Sequence, residues 1–353
     1  MSKFLKNRYW TLEAYTPGEQ PRDKKYIKLN TNESPFPPSD GVINAVNSQE
    51  VKDLRLYSDP TGIALKTALA DLHGVTPNNI FLSNGSDDIL NFSFMAFTEN
   101  GAMFPEISYG FYSVFAELHG IDYVTVPLKD DFSIDPEDYK GDGRMVVIAN
   151  PNAPTGLCLT LMQVEGILKA NPDSVVVIDE AYVDFGGESA YPLTKKYKNL
   201  LVVQTFSKSR SMAGARLGFV IADEELIADL ERIKYSTNPY NINRLTMVAG
   251  VAAVKDNDYY MENCKKIIAN REYTTKELEA LGFYVIPSKA NFIFAKSDKI
   301  GGEELYLKLK DSGILVRHFT KEKIKDFNRI TIGSKSEMEA FVKAVKQILE
   351  ELK

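Results

Sequence analysis

Three side chains of the sequence stand where a covalent or proton-transfer reaction can be organised: Lys208, Asp179 and Arg216. Lys208 lies in Thr205-Phe206-Ser207-Lys208-Ser209, directly after an apolar run, among hydroxyls and upstream of Arg216. An amine so placed can form an imine next to an anion site. Taken alone, a lysine on a polar turn is an ordinary solvated charge, so the neighbours decide. Asp179 closes the run Val175-Val176-Val177-Ile178, and a carboxylate at the end of a buried strand must be paired or hydrogen-bonded. It either caps the next helix or meets a cationic partner such as a protonated pyridine nitrogen.

Two turns add to this set. Asn150-Pro151-Asn152-Ala153-Pro154-Thr155-Gly156 is made rigid by its prolines and glycine and needs no further explanation as a turn. Asn84-Gly85-Ser86-Asp87-Asp88 lies between a strand and a helix, where exposed backbone N–H groups and the helix dipole can hold a phosphate, or where an ordinary helix cap can sit. Asp87 and Asp88 suit a helix N-terminus yet repel a phosphate, so in a phosphate site both side chains must face away.

The elements that would position these groups are legible from the apolar pattern. A helical run covers Ile63 to His73, a strand Asn79 to Leu82 and a helix Asp87 to Phe97. Runs at Met145 to Ile148, Val175 to Ile178, Leu200 to Val203 and Gly218 to Ile221 predict strands buried on both faces of a mostly parallel sheet. Most of them run into the polar clusters just described, and ligands of open parallel sheets bind beyond the carboxyl ends of strands. After about Asn241 the texture changes to a long amphipathic stretch reaching Leu281, strands at Phe283 to Ile286 and Asn291 to Ala295, and a final helix from Ser336 to Leu349. The expectation is an α/β chain: an N-terminal segment over 1–40 that joins the smaller unit, a large domain over 41–245 with a mostly parallel central sheet flanked by helices, and a small α+β domain over 246–353. Asn32-Glu33-Ser34-Pro35-Phe36-Pro37-Pro38 must be extended or turning.

Composition removes several function classes. With 353 residues, 44% hydrophobic content, a net charge of −6 and no basic run, the chain suits a large globular core and offers no nucleic acid footprint. Cys158 and Cys264 form no CxxC pair, and His73, His119 and His318 are far apart, so no metal is expected. The N-terminus lacks the apolar core of a signal peptide and no membrane-length apolar run occurs, so a cytoplasmic protein is expected. A dehydrogenase or nucleotide-binding domain would share the parallel strands, but neither G-x-G-x-x-G nor G-x-x-x-x-G-K-[ST] is present.

The four elements, in this order and each at a strand end, resemble the fold-type I pyridoxal-phosphate-dependent aminotransferases. More narrowly, Leu29-Asn30-Thr31-Asn32-Glu33-Ser34-Pro35, Arg55-Leu56-Tyr57-Ser58-Asp59-Pro60, Ser83-Asn84-Gly85-Ser86-Asp87, Pro239-Tyr240-Asn241-Ile242-Asn243 and Asn328-Arg329-Ile330-Thr331-Ile332-Gly333 resemble the histidinol-phosphate aminotransferase family. The resemblance runs from about residue 15 to the last helix. It implies pyridoxal 5'-phosphate as cofactor, bonded to Lys208, with Asp179 on the pyridine nitrogen and Asn152 and Tyr182 on the phenolic oxygen. It also implies that Tyr109 stacks on the ring and that Gly85, Ser86, Asp87, Thr205, Ser207 and Arg216 hold the phosphate. Tyr57 would reach the neighbouring site of a homodimer, and Tyr15, Asn32, Arg317 and Arg329 would face the substrate. The implied reaction moves an amino group between histidinol phosphate and 2-oxoglutarate, in histidine biosynthesis. An aromatic amino-acid aminotransferase and a threonine-phosphate decarboxylase share these motifs, and a silent binding protein could retain the fold. Two positions depart from the family pattern: Ala153 stands where a further asparagine is common, and Asp88 replaces a common glutamate.

Overall fold

A computed structural model of the chain describes residues 4–13 and 15–352. A short strand β1 (Ile27–Lys28) precedes helices α1 (Asp40–Ala45), α2 (Ser48–Lys52) and α3 (Ile63–His73). Strands and helices then alternate: β2 (Ile80–Ser83), α4 (Ser86–Phe97), β3 (Ala102–Pro105), α5 (Phe111–His119), β4 (Tyr123–Val126), β5 (Met145–Ala149), α6 (Leu161–Ala170), β6 (Val176–Asp179), β7 (Leu200–Thr205) and β8 (Gly218–Ala222), followed by α7 (Glu224–Thr237). These strands make one sheet in the order β2-β8-β7-β6-β5-β3-β4, parallel except for β8.

Alternate residues of each strand feed opposite faces of this sheet, as the two-residue period of a strand requires. Val146, Ile148, Val176, Ile178, Leu200 and Val202 pack on α6, while Met145, Val147, Val177, Leu201, Val203 and Val220 pack on α4, α5 and α7. Both faces are therefore apolar, and the strands read as unbroken hydrophobic runs. Strand β8 runs antiparallel because the loop joining it to β7 holds no crossover helix, and a parallel neighbour needs one. That reversing loop carries Lys208 and Arg216.

The rest of the chain builds a second layer system. Helices α8 (Arg244–Lys255) and α9 (Asn257–Ala280) lead to β9 (Phe283–Ile286), β10 (Phe292–Ser297), α10 (Gly302–Asp311), β11 (Ile314–Leu315), β12 (Arg317–His318), β13 (Asn328–Thr331) and α11 (Lys335–Glu350). An antiparallel sheet of order β12-β13-β10-β9 is covered by α9 and α11, whose Phe341, Val342, Val345 and Ile348 recur at helical spacing on one face. Strand β1 pairs in parallel with β11, tying the N-terminal segment to this part.

The amphipathic stretch up to Leu281 is two helices broken at Asp256, where Asp256-Asn257-Asp258 concentrates weak helix formers. The boundary expected between 245 and 246 falls inside α8, which packs on α1 and α3. Strand β2 starts one residue later than expected, because Pro77–Asn79 forms a 3-10 turn. Strands β3 and β4 and helix α5 stand outside the expected elements: β3 is a four-residue run ending in proline, β4 exposes two of its four residues, and α5 is a short helix that buries Tyr112, Phe115 and Ala116. Among the described residues no helix is long and apolar enough to cross a membrane.

Candidate active site

The carboxyl ends of β5, β6 and β7 and the N-terminus of α4 converge on a cavity of about 160 Å3. The loop after β7 is closed by backbone bonds from Phe206 N–H to Leu217 O, 3.0 Å, and from Met212 N–H to Phe206 O, 3.1 Å. Phe206 is fully buried and anchors the loop against Phe219. Thr205 Oγ1 donates to Ser207 Oγ at 3.0 Å and accepts the Ser207 backbone N–H at 3.1 Å, which fixes the turn that presents Lys208. Lys208 Nζ enters the cavity and donates to Thr31 O at 3.3 Å. Arg216 has φ of +56°, a left-handed conformation that costs a non-glycine residue about 1 kcal/mol or more and turns its guanidinium back into the site.

At one end of the cavity, Gly85 precedes α4 with φ of +90°. A Cβ there would lie 2.6 Å from Arg216 Nη2, and one on Gly218 would lie 2.6 Å from Ser86 N. The two glycines leave a cradle between the guanidinium and the first turn of α4, which no side chain caps. Asp87 departs from the expectation that it faces away. Its Oδ1 accepts from the Tyr109 hydroxyl at 2.7 Å and its Oδ2 pairs with Arg216 Nη2 at 3.0 Å, because these are the donors within its reach. Only Asp88 turns out of the site, toward Ser83 and Asn241.

At the other end stands Asp179, nearly fully buried. Its Oδ2 accepts from the Tyr112 hydroxyl at 2.9 Å and its Oδ1 from Ala181 N–H at 3.2 Å. Burial pushes its carboxyl up to about 6, against the two hydrogen bonds and the Lys208 charge, which favour the anion. Glu180 is buried beside it, held by Ser189, Ala190 and Gln204, and burial raises it to about 7. Burial likewise raises the hydroxyls of Tyr109 and Tyr112, which remain neutral donors. Tyr112 is a site residue beyond those expected from the sequence. The available signal is its place three residues after Tyr109, where the loop enters α5.

The structure gathers Lys208, Asp179, Tyr109, Tyr182, Ser86, Asp87, Thr205, Ser207 and Arg216 around this one cavity. Asn152 is not among its lining. Its amide donates to Ile107 O at 3.0 Å and to Thr155 Oγ1 at 3.1 Å, and its Oδ1 accepts from Ser108, so its polar atoms serve the turn in which it sits. Tyr57 lies elsewhere, 81% exposed and stacked on Tyr240 at 4.5 Å.

A second cavity of about 440 Å3 adjoins the first, sharing Thr31, Tyr109, Ala153, Tyr182 and Lys208 with it. Tyr15, Asn32, Arg317 and Arg329 all line it, and Lys321 joins them. Asn32 Nδ2 donates to the Tyr182 hydroxyl at 3.0 Å, and Tyr15 stacks on Phe111 at 4.2 Å. Arg317 and Arg329 face each other across the β12–β13 ladder. Like charges so placed repel, and among the described residues no carboxylate lines this cavity to offset them. Arg329 Nη2 donates to Asn30 O at 3.0 Å, while its buried Nε has no partner among the described residues. The arrangement suits a strongly anionic ligand.

A family model described as aminotransferase class I and II matches residues 24–345. The chain is 55% identical to the histidinol-phosphate aminotransferase of Brachyspira hyodysenteriae, covering 99% of this chain and 100% of the relative. Among solved structures it resembles the histidinol-phosphate aminotransferase of Clostridium acetobutylicum, with a TM-score of 0.86 at 27% identity, covering 92% and 99% of the two chains. It also resembles that of Sinorhizobium meliloti in complex with pyridoxal-5'-phosphate, with a TM-score of 0.85 at 27% identity, covering 94% and 92%.

Proposed function

The chain belongs to the class I and II aminotransferases, pyridoxal-phosphate-dependent transaminases, and on that premise we propose that it exchanges an amino group between L-histidinol phosphate and 2-oxoglutarate. The observation that carries the substrate is the facing pair Arg317 and Arg329 in a cavity with four cationic side chains and no acidic one. A phosphate monoester supplies the missing negative charge and can accept from both guanidinium groups.

The residues present fit the cofactor. Asp179 is a buried carboxylate whose hydrogen-bond donors are both neutral, so a cationic ring nitrogen would complete it. The cradle kept open by Gly85 and Gly218 suits a phosphate held by Arg216, the hydroxyls of Thr205 and Ser207, and the N–H groups of Ser86 and Asp87. Asp87 would then yield Arg216 to the phosphate while remaining bonded to Tyr109. Asn152 would have to turn its amide to reach the ring's edge, whereas the Tyr182 hydroxyl already borders the cavity.

When bound, pyridoxal 5'-phosphate supplies a carbonyl that captures amines and a ring that makes the adjoining C–H bond acidic. Lys208 Nζ is the chain's own amine at the cavity, the group that would hold the cofactor, and as a free amine it is the base placed to take the proton from the substrate α-carbon and return it. Asp179 would pair with the ring nitrogen and keep it protonated. Tyr109, braced by Asp87, would stack on the ring and help to orient it. Arg317 and Arg329 hold the far end of the substrate and displace water from it.

We further propose a homodimer in which Tyr57 crosses to the partner's site. Its support is the exposure of Tyr57 beside Val51, Leu54, Leu56 and Ile63, an apolar surface that a second copy would cover. The division between the two units is proposed at Asp256, one helix after the expected position, since α8 packs with α1 and α3. Two free cysteines suit a reducing cytoplasm.

A transamination panel on the purified protein tests the substrate. With 2-oxoglutarate as acceptor, kcat/KM for histidinol phosphate should exceed that for phenylalanine by about a hundredfold, the worth of two charge-assisted hydrogen bonds. Equal use of phenylalanine, or release of carbon dioxide from threonine phosphate, would replace this reading.

A further inference from the structure

We propose that Tyr112 is a positioning residue for the cofactor's electron-withdrawing end, its hydroxyl fixing the Asp179 carboxylate on the cavity side. The proposal rests on the cofactor reading given above and goes beyond it by assigning a residue that lines neither cavity.

Tyr112 is fully buried in the first turn of α5, and its backbone N–H donates to Tyr109 O at 3.2 Å. Its ring packs edge-on against Tyr109 at 5.7 Å and 82°, and against Phe104 at 5.7 Å and 61°. Its hydroxyl spans the sheet end to Asp179 Oδ2 at 2.9 Å. One side chain thus touches both groups that would hold the cofactor ring, Tyr109 and Asp179. The turn that leads into α5 makes this possible, because the bond from Tyr112 N–H to Tyr109 O sets the two rings side by side at the start of the helix.

Each oxygen of Asp179 has a single donor, Tyr112 on one and Ala181 on the other. The carboxylate can therefore neither rotate nor exchange its oxygens without losing a buried hydrogen bond. The other charged groups that act on it are Asp87 and Lys208, of opposite sign. Loss of the Tyr112 hydroxyl would leave one neutral donor on a buried carboxyl. Burial then favours the protonated, neutral form, which cannot answer a pyridinium.

A purely structural tyrosine would support the fold and treat all cofactor-shaped ligands alike. The test compares cofactor-free wild type and Tyr112→Phe in equilibrium dialysis against two ligands: pyridoxal 5'-phosphate, and its 1-deaza analogue, in which CH replaces the ring nitrogen. Wild type should prefer the natural ring. Tyr112→Phe should lose about tenfold in affinity for pyridoxal 5'-phosphate, the range of a hydrogen bond to a charged group, while affinity for the analogue stays within about twofold. In an Asp179→Asn background the same substitution should leave the preference between the two ligands unchanged. Parallel loss for both ligands, or an unaltered preference in Tyr112→Phe, overturns the proposal. Wild type that binds neither ligand overturns the cofactor reading instead, and the two failures are thereby told apart. Thermal unfolding of the cofactor-free variant checks that Phe, which removes one oxygen and no ring volume, leaves the fold intact.

Discussion

The inner and outer cavities sit side by side, share Lys208 and Tyr182, and are built on opposite physical plans. The inner one is set at the tips of strands buried on both faces. Its polar groups are bonded to one another: Asp179 to Tyr112 and Ala181, Thr205 to Ser207, Asp87 to Tyr109 and Arg216. The outer one is walled by long side chains from the short strands β12 and β13 and from the N-terminal segment. Its cations repel one another and bond to backbone carbonyls at 3.0 to 3.5 Å. A rigid inner site fixes one ring in one pose. A loosely held, charge-rich outer site can accept two anionic substrates in turn, as a transaminase must.

The comparison is broken most severely at Lys208, one of the residues the cavities share. Lys208→Ala removes the amine while leaving both walls standing, so turnover should fall by about 10^4-fold or more and the visible absorption band of the lysine-bound cofactor should vanish. Substantial turnover in that variant would mean that the chemistry does not depend on this amine.

The next largest effect belongs to the inner site and has opposite signs with and without cofactor. The folded chain holds the Asp179 carboxyl at about 6, above its ordinary value of 3.8. A raised folded value means that this group's contribution to stability is fully present below the unfolded pKa and is lost as pH rises through the folded one. Across the window from about pH 4 to pH 6 the ionised, buried carboxylate should cost the cofactor-free protein about 3 kcal/mol. Asp179→Asn should therefore stabilise cofactor-free protein at pH 8 and change little at pH 4, as read by urea unfolding at both values. In the same variant, cofactor affinity and turnover should drop. Destabilisation at pH 8 would show that Asp179 is a structural cap and not a held charge.

The two cavities also differ in how far the sequence reveals them. Lys208 and Asp179 were legible because buried β-branched runs end abruptly in polar residues, and a strand end has one direction in which to point; Arg216 was legible as a cation in the same polar loop as Lys208. Tyr112 was not, since its partner lies across the sheet end and the link exists only once α5 is wound and docked. The antiparallel run of β8 was hidden for a similar reason: it follows from what the preceding loop lacks, a crossover helix. Asp87 shows the limit of reasoning by charge alone. Repulsion of a phosphate predicts that it faces away, yet Arg216 and the Tyr109 hydroxyl draw it in. In the outer site, Arg317 and Arg329 were named by resemblance only, because their pairing depends on a cross-strand register involving a two-residue strand.

That pairing yields the finest test, within the outer site itself. Arg329 has its guanidinium over the rings of Phe292 and Phe319 at 5.4 and 5.8 Å, with one fixed bond to Asn30 and a buried Nε held in reserve. Arg317 contacts Pro17 and Thr16 carbonyls at 3.5 and 3.3 Å, distances at which a hydrogen bond is weak. Preorganisation favours the first, because less side-chain entropy is lost when it grips an anion. Arg329→Ala should raise KM for histidinol phosphate by about a hundredfold and Arg317→Ala by about tenfold, with KM for phenylalanine nearly unchanged in the second. Relief of their mutual repulsion should also make each single variant slightly more heat-stable in the absence of substrate. Steady-state kinetics on both variants, at low and at high salt, decides it. The reverse ranking would place the substrate phosphate on β12 and leave Arg329 as a strut between two rings.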